Sequence, residues 1–214
     1  MKKFIKLFLL VFPLLSISQS DDILWASYHL QTPLTESITL NIKPTIRLND
    51  ALSSYENSSI DVFAKKKLDK GWSVQLFSRT WFNPDEKGRQ FVWTDVAHGF
   101  ALSKINIVNR LRFHWALDIN DRMDPDFLRW HTKFSLKTNG SISPYIGIEP
   151  WYRLNSINEF RRIRFEPGLR WNISETYALD VQYRIQNEIS QPDNLTVNQY
   201  VATLIYKLPA KSSK

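Results

Sequence analysis

The feature that most constrains this chain is a period of two that recurs along almost its whole length, with no helical period competing against it. In "INIVNRLRFHWALDIN", residues 105 to 120, the odd positions run Ile105, Ile107, Asn109, Leu111, Phe113, Trp115, Leu117, Ile119. The even positions run Asn106, Val108, Arg110, Arg112, His114, Ala116, Asp118, Asn120. Alternation of this kind is the mark of a strand with two unlike faces. Ten such strands are predicted: Ser37 to Leu48, Ser59 to Lys67, Trp72 to Phe82, Gln90 to Leu102, Ile105 to Ile119, Phe127 to Lys137, Ile142 to Leu154, Arg162 to Ile173, Tyr177 to Glu188 and Gln199 to Leu208. An earlier segment, Leu24 to Gln31, also alternates and would make eleven; with a further partner the count would reach twelve.

Short turns at "DKG", "SK", "TNGS" and "SET" interleave with longer polar stretches at "NDALSSYENS", "NPDEKGR", "NDRMDPD", "NSINE" and "SQPDN". Short connections on one side and long ones on the other suit an antiparallel up-and-down barrel, in which only neighbours in sequence need pair. Three features strain that pattern. Pro44 and Pro167 fall inside strands, where proline removes a ladder hydrogen bond, and Gln90 to Leu102 alternates poorly in either phase, so a bulge is predicted near Gly99.

Magnitude selects the face that points inward. An arginine held against lipid near a bilayer midplane costs roughly 2 to 4 kcal/mol. Arg47, Arg79, Arg110, Arg112, Arg129, Arg153, Arg162, Arg164, Arg170 and Arg184 therefore belong to a lumen or to water. The opposite face carries aliphatics such as Ile42, Leu76, Leu111, Ile148, Leu169, Val181 and Leu204. On that apolar face Trp72, Trp171, Tyr177 and Tyr206 lie beside the short turns, and Trp115, Trp130 and Tyr152 toward the long loops. Two aromatic girdles around an aliphatic band are a bilayer signature. A soluble sandwich with the reverse phase would place large aromatics in mid-strand as readily.

The first residues strengthen the membrane reading. "MKKFIKLFLLVFPLLSISQS" sets Lys2, Lys3 and Lys6 before an apolar run, as in a secretory signal peptide, with cleavage expected near Ser18. The expected organisation is a leader at 1–18, one barrel at 19–208 and a tail at 209–214. Removal of the three lysines lowers the formal charge from +7 to +4, so the basic balance is no argument for nucleic acid. The chain has no cysteine, which excludes disulfides, thiol catalysis and a lipid-modified cysteine anchor. The last strand, "YVATLIYKL", looks like the insertion signal that the barrel-assembly machinery reads, although "PAKSSK" follows it.

The mature sequence resembles the uncharacterised Bacteroidota outer-membrane barrel family catalogued as domain-of-unknown-function family 2490. The residues that carry the resemblance are the tryptophan of "LWASYHL", "IRLND", "NRLRFHW" and "FRRIRFEPGLRWNISETYALDVQYRIQNE". The resemblance implies a fold and a compartment, the outer membrane with its lipid and lipopolysaccharide, and brings no catalytic set with it.

Within the lumen, Glu149, Glu166, Asp180 and Glu188 interleave with Arg153, Arg164, Arg170 and Arg184, a pattern that predicts a salt-bridged network. Arg110, Arg112 and Arg129 have no evident local acid, and the loop residues Asp118 and Asp124 are candidates to pair with them. His114 and His131 lie on neighbouring strands and could face one another across a metal, but the surrounding cations disfavour a divalent ion, and no cofactor is expected. Arginines and aromatics alternate onto opposite faces, which argues against a stacking groove for nucleic acid. The leading expectation is a non-enzymatic barrel with a lumen closed by charge pairs and loops available to a surface partner. The alternative is a narrow pore biased to anions. A third reading is an envelope hydrolase of the lipid A deacylase or aspartate–histidine protease kind, built from His114, His131 and the loop residues Asp118, Asp121, Asp124 and Asp126.

Overall fold

The computed structural model describes residues 22–49, 54–84, 86–117, 127–154, 159–189 and 195–209. The leader, the loop bearing Asp118, Asp121, Asp124 and Asp126, and the end of the tail lie outside the described residues. Eleven strands follow one another: β1 (Asp22–Pro33), β2 (Ile38–Asn49), β3 (Ser54–Lys67), β4 (Trp72–Asn83), β5 (Glu86–Leu102), β6 (Ile105–Leu117), β7 (Phe127–Leu136), β8 (Ile142–Arg153), β9 (Glu159–Asn172), β10 (Tyr177–Glu188) and β11 (Thr196–Lys207). Each pairs antiparallel with the next, and β1 pairs with β11 to close the barrel.

The segment Leu24 to Gln31 is thus a full member of the wall. Its inclusion makes the strand number odd, and a meander of odd length ends in the direction in which it began. The seam must then be parallel, and it is: Asp22↔Asn198 through Gln31↔Lys207. Leu208 N donates to Gln31 O at 2.8 Å and finishes the closure. Closure removes both sheet edges at the cost of one slightly weaker parallel ladder.

Prolines sit in the wall without breaking it. In an antiparallel ladder the N–H and C=O of one residue point to the same neighbour, so a proline disrupts pairing on one side only. Pairing between β1 and β2 breaks off between Ser27↔Thr45 and Leu30↔Ile42, around Pro44, while Pro44 keeps its register with Ile60 on β3. Pro167 interrupts β9–β10 between Gln182↔Gly168 and Ile185↔Phe165 and keeps its register with Ile146. The bulge predicted near Gly99 does not form: β5 and β6 pair continuously from Gln90↔Leu117 to Leu102↔Ile105. Register shifts fall instead at Arg47/Leu48, Trp81/Asn83 and Trp151/Tyr152. The poor alternation of β5 has another cause. Phe91, Trp93 and Ala97 are buried inside while Val96 and Phe100 are exposed outside, so both faces are apolar. The "NPDEKGR" stretch is correspondingly less of a loop than its polarity suggests, since β4 runs to Asn83 and β5 starts at Glu86.

The outer face is aliphatic. Ile42, Leu76, Leu111, Ile148, Phe165, Val181 and Leu204 are all exposed there. Trp72, Trp171 and Tyr177 are exposed near the short turns, with Tyr177 stacked on Tyr206 at 4.8 Å, and Trp130 is exposed toward the other end. Tyr152 packs edge-on against Phe160 at 5.2 Å, and Trp115 lies on β6 with its side chain outside the described residues.

Eleven strands enclose more space than the eight that ordinary side chains fill. The inner face meets this with long and flat residues, and glycines give them room to lie along the wall. Tyr145 pairs in register with Gly168 and lies where a Cβ on that glycine would stand. Its hydroxyl donates to Asp180 at 2.5 Å, two strands away. Gly168→Val is expected to lift Tyr145 off the wall and lower resistance to urea by about 2 kcal/mol, against about 1 kcal/mol for Tyr145→Phe, which loses the hydrogen bond alone. Urea titration of tryptophan fluorescence measures both; equal, negligible shifts would contradict the close approach.

Candidate functional site

The charged network follows from hairpin register. The two-residue turn Ser103–Lys104 joins β5 to β6, so residues equally distant from it face each other, and Asp95 falls opposite Arg112. The pair is bidentate, with Arg112 Nε to Asp95 Oδ1 and Nη2 to Oδ2 both at 2.6 Å. The Leu68–Trp72 turn likewise sets Asp61 against Arg79, at 2.6 and 2.8 Å. The expectation that Arg110, Arg112 and Arg129 lack a local acid is therefore wrong. Asp95, entirely buried on the inner face of β5, serves Arg112 and lies 3.8 Å from Arg110 Nε.

Closure adds contacts that hairpin register does not show, because a concave inner wall brings second-neighbour strands within reach. Arg110 with Glu149 and His131 with Glu166 are of this kind, while Arg164 and Arg162 face Glu149 and Glu188 in register; Glu149 on β8, 1 % exposed, is where the two kinds of contact meet. It accepts from Arg110 Nη2 at 2.8 Å, Arg129 Nη2 at 2.7 Å, Trp151 Nε1 at 2.9 Å and Arg164 Nη1 at 3.4 Å. Glu166 binds Arg184 at 2.8 Å and His131 at 3.1 Å. Glu188 lies 3.1 Å from Arg162 and 3.4 Å from Arg161. Arg164 Nε donates to Gln186 at 2.6 Å, and Gln186 passes the chain on to Glu188 at 2.7 Å. Arg153 reaches Glu159 at 3.4 Å near the rim, and Arg170 is the register neighbour of Asp180.

The two histidines are not brought together. Arg110, not His114, stands opposite His131 in the register. His114 packs between aromatic rings, 5.4 Å from Phe91 and 6.3 Å from Phe127, while His131 is held by Glu166. Among the described residues no group of three or more His, Asp and Glu side chains gathers as a metal site.

The separation of arginines from aromatics fails on the inner face. Phe63, Phe77, Phe91 and Trp93 form a buried cluster with Trp81 packed against it, and rings continue along the wall through His114 and Phe127 to Trp151. Arginines lie on these rings. Arg129 sits 3.7 Å above Trp151, with Arg164 at 4.3 Å and Arg162 at 4.6 Å, and Arg47 sits 4.4 Å above Trp25. The argument against nucleic acid that rested on opposite faces is thereby removed. Trp81 and Trp151 share the inward phase of Arg79 and Arg153 and are legible from it, whereas Trp93 lies on β5, whose two apolar faces offer no phase.

At the end from which the β6–β7 and β8–β9 connections leave, the lumen widens into a cavity of about 390 Å³. Arg47, Arg79, Arg89, Arg129, Arg153, Arg161, Arg162 and Arg164 line it, alternating with Trp25, Trp81, Phe91, Trp93, Phe127 and Trp151; among the described residues no carboxylate does.

Fold and lumen together define a closed β-barrel with an aliphatic exterior and a charged, aromatic-braced interior. The chain belongs to the family described as "Protein of unknown function (DUF2490)", whose model matches residues 23–197 and so spans β1 to the start of β11. No curated protein matches it.

The shared carboxylate sets the cost of opening this network. Glu149→Gln removes the counter-charge of three buried or half-buried arginines and is expected to destabilise the barrel by about 3 to 5 kcal/mol. Glu159→Gln, at the rim, should change stability by less than about 1 kcal/mol. Comparable urea midpoints for the two variants would contradict the central place of Glu149.

Proposed function

We propose that the protein is a non-enzymatic barrel of the outer membrane, delivered there by its leader, with its lumen closed at mid-height by the Asp95, Glu149 and Glu166 ion clusters. The carrying observation is the inversion of the fold. Asp95 and Glu149 are the most buried charged residues among those described, while Leu76 is 58 % and Leu111 47 % exposed. An apolar surface running round the whole circumference far exceeds the few hundred Å² that soluble proteins leave in one patch. Lipid covers it without penalty. The shortest strand, β7, has 10 residues, enough to cross a hydrocarbon core when tilted. The girdle residues Trp72, Trp130 and Trp171 stand where headgroups would meet them.

A closed lumen suits a structural barrel that presents loops to partners, and the pore is the reading it competes with. At mid-height the inner charges are paired with one another rather than arrayed along a water column, and aromatic rings occupy the space beside them. We expect the protein to fractionate with outer membrane, to resist carbonate extraction and to migrate differently before and after boiling. Leu169→Gln on the outer face should impair insertion. Recovery as a soluble periplasmic monomer would overturn the membrane assignment. In planar bilayers the purified protein should pass little steady current, and a stable anion-selective current would replace the closed barrel with the pore.

A further inference from the structure

We propose that the loop-end cavity binds a multiply charged phosphate group. The first support is charge. Seven of the lining arginines, Arg47, Arg79, Arg129, Arg153, Arg161, Arg162 and Arg164, pair from behind with five carboxylates among the described residues, Glu56, Asp61, Glu149, Glu159 and Glu188. Glu149 is shared with Arg110 as well, so among the described residues the cavity keeps a positive excess that an anion would neutralise.

The second support is the way in which the guanidiniums are held. Arg129, Arg162 and Arg164 rest on one indole, that of Trp151, which is itself fixed by its hydrogen bond to Glu149. A ring contact occupies one face of a guanidinium and leaves its N–H edge to hydrogen-bond acceptors; Glu149, Gln186 and Glu188 take part of those edges, and each guanidinium carries five N–H donors, more than these contacts use. It also covers the indole, so the ring serves to position arginines rather than to stack a base or a sugar. This directs the site toward the anion itself.

The third support is an excess of donors. The Nε atoms of Arg129 and Arg153 and the indole nitrogens of Trp81 and Trp93 are buried without an acceptor among the described residues. Buried donors are nearly always matched, and so many at one end of one lumen call for acceptors from outside. A carboxylate would satisfy few of them. A phosphoryl group brings three oxygens and up to two charges, and a pyrophosphate more. The cavity volume lies in the range of small-molecule sites.

The same chemistry could come from a free phosphate or from a lipid headgroup, and two probes separate them. Full-length protein folded in neutral detergent is titrated at low salt with inorganic pyrophosphate, and separately with dioctanoyl phosphatidic acid below its micelle concentration, while the fluorescence of the cavity tryptophans is followed. A saturable change with pyrophosphate assigns the site to soluble phosphates; a change with the lipid alone assigns it to headgroups. Either result supports the site, and Arg153→Gln and Arg162→Gln should each weaken binding about tenfold. Lys65→Gln, which removes an inner-face charge near the short turns, should bind as the parent does. Heat-shifted migration on gels verifies that each variant is folded. The absence of saturation with both probes, or equal weakening in Lys65→Gln, overturns the proposal. This outcome does not depend on membrane location, which fractionation tests separately.

Discussion

A carboxylate buried inside a closed wall has no water to turn to, and this barrel depends on how Glu149 answers that constraint. It accepts from three arginines and one indole drawn from β6, β7, β8 and β9, so a single side chain ties four consecutive strands together across the concave face. Asp95 and Glu166 repeat the arrangement on either side. Arg110 lies between Glu149 and Asp95, and each of the other arginines so held also lies against a ring or reaches a further amide. Arg112 rests 4.8 Å from both Phe77 and Trp93, and Arg184 donates to Gln199 at 3.0 Å. Burying unpaired charges at this density would unfold the wall; paired ones brace it.

The bracing divides the lumen into two unlike halves. Strands β3 to β5 contribute a packed aromatic surface, with Phe63 stacked on Phe77 at 4.1 Å and Phe77 on Trp93 at 5.1 Å. Strands β6 to β10 contribute most of the ion clusters, with Asp61, Arg79 and Asp95 standing on β3 to β5. Arg112 joins the halves, bound by Asp95 and capped by the rings. Toward the short turns the network ends in Tyr145, Asp180 and Lys133, the last lying 3.3 Å over the tyrosine ring. Toward the loops it opens into the arginine-lined cavity. A barrel of eleven strands is wide enough to need both kinds of filling.

The legible part of this structure was whatever depends on one strand or one hairpin. The alternation of β6 placed Arg110 and Arg112 inward and Leu111 outward, and ten strand positions could be read in the same way. Asp95 was legible in principle, through its position opposite Arg112 about the Ser103–Lys104 turn. It was hidden because β5 carries apolar residues on both faces and so offered no phase. The parallel seam depends on whether the strand number is odd, and thus on the single ambiguous segment at β1. The contacts of Glu149 with Arg110 and of Tyr145 with Asp180 skip a strand. Such pairs follow from wall curvature, which no local pattern encodes.

A membrane barrel of this kind requires one assignment: aliphatic residues outside against lipid, charged and aromatic ones inside. The absence of native cysteine allows that to be read residue by residue. A fluorophore attached to a single cysteine at Leu76, Leu111 or Leu204 should be quenched strongly by lipids spin-labelled along the acyl chain. The same label at Ser59, buried on the inner face, should not respond. Equal quenching at both sets of positions, or quenching at Ser59 alone, would contradict the assignment and with it the membrane barrel.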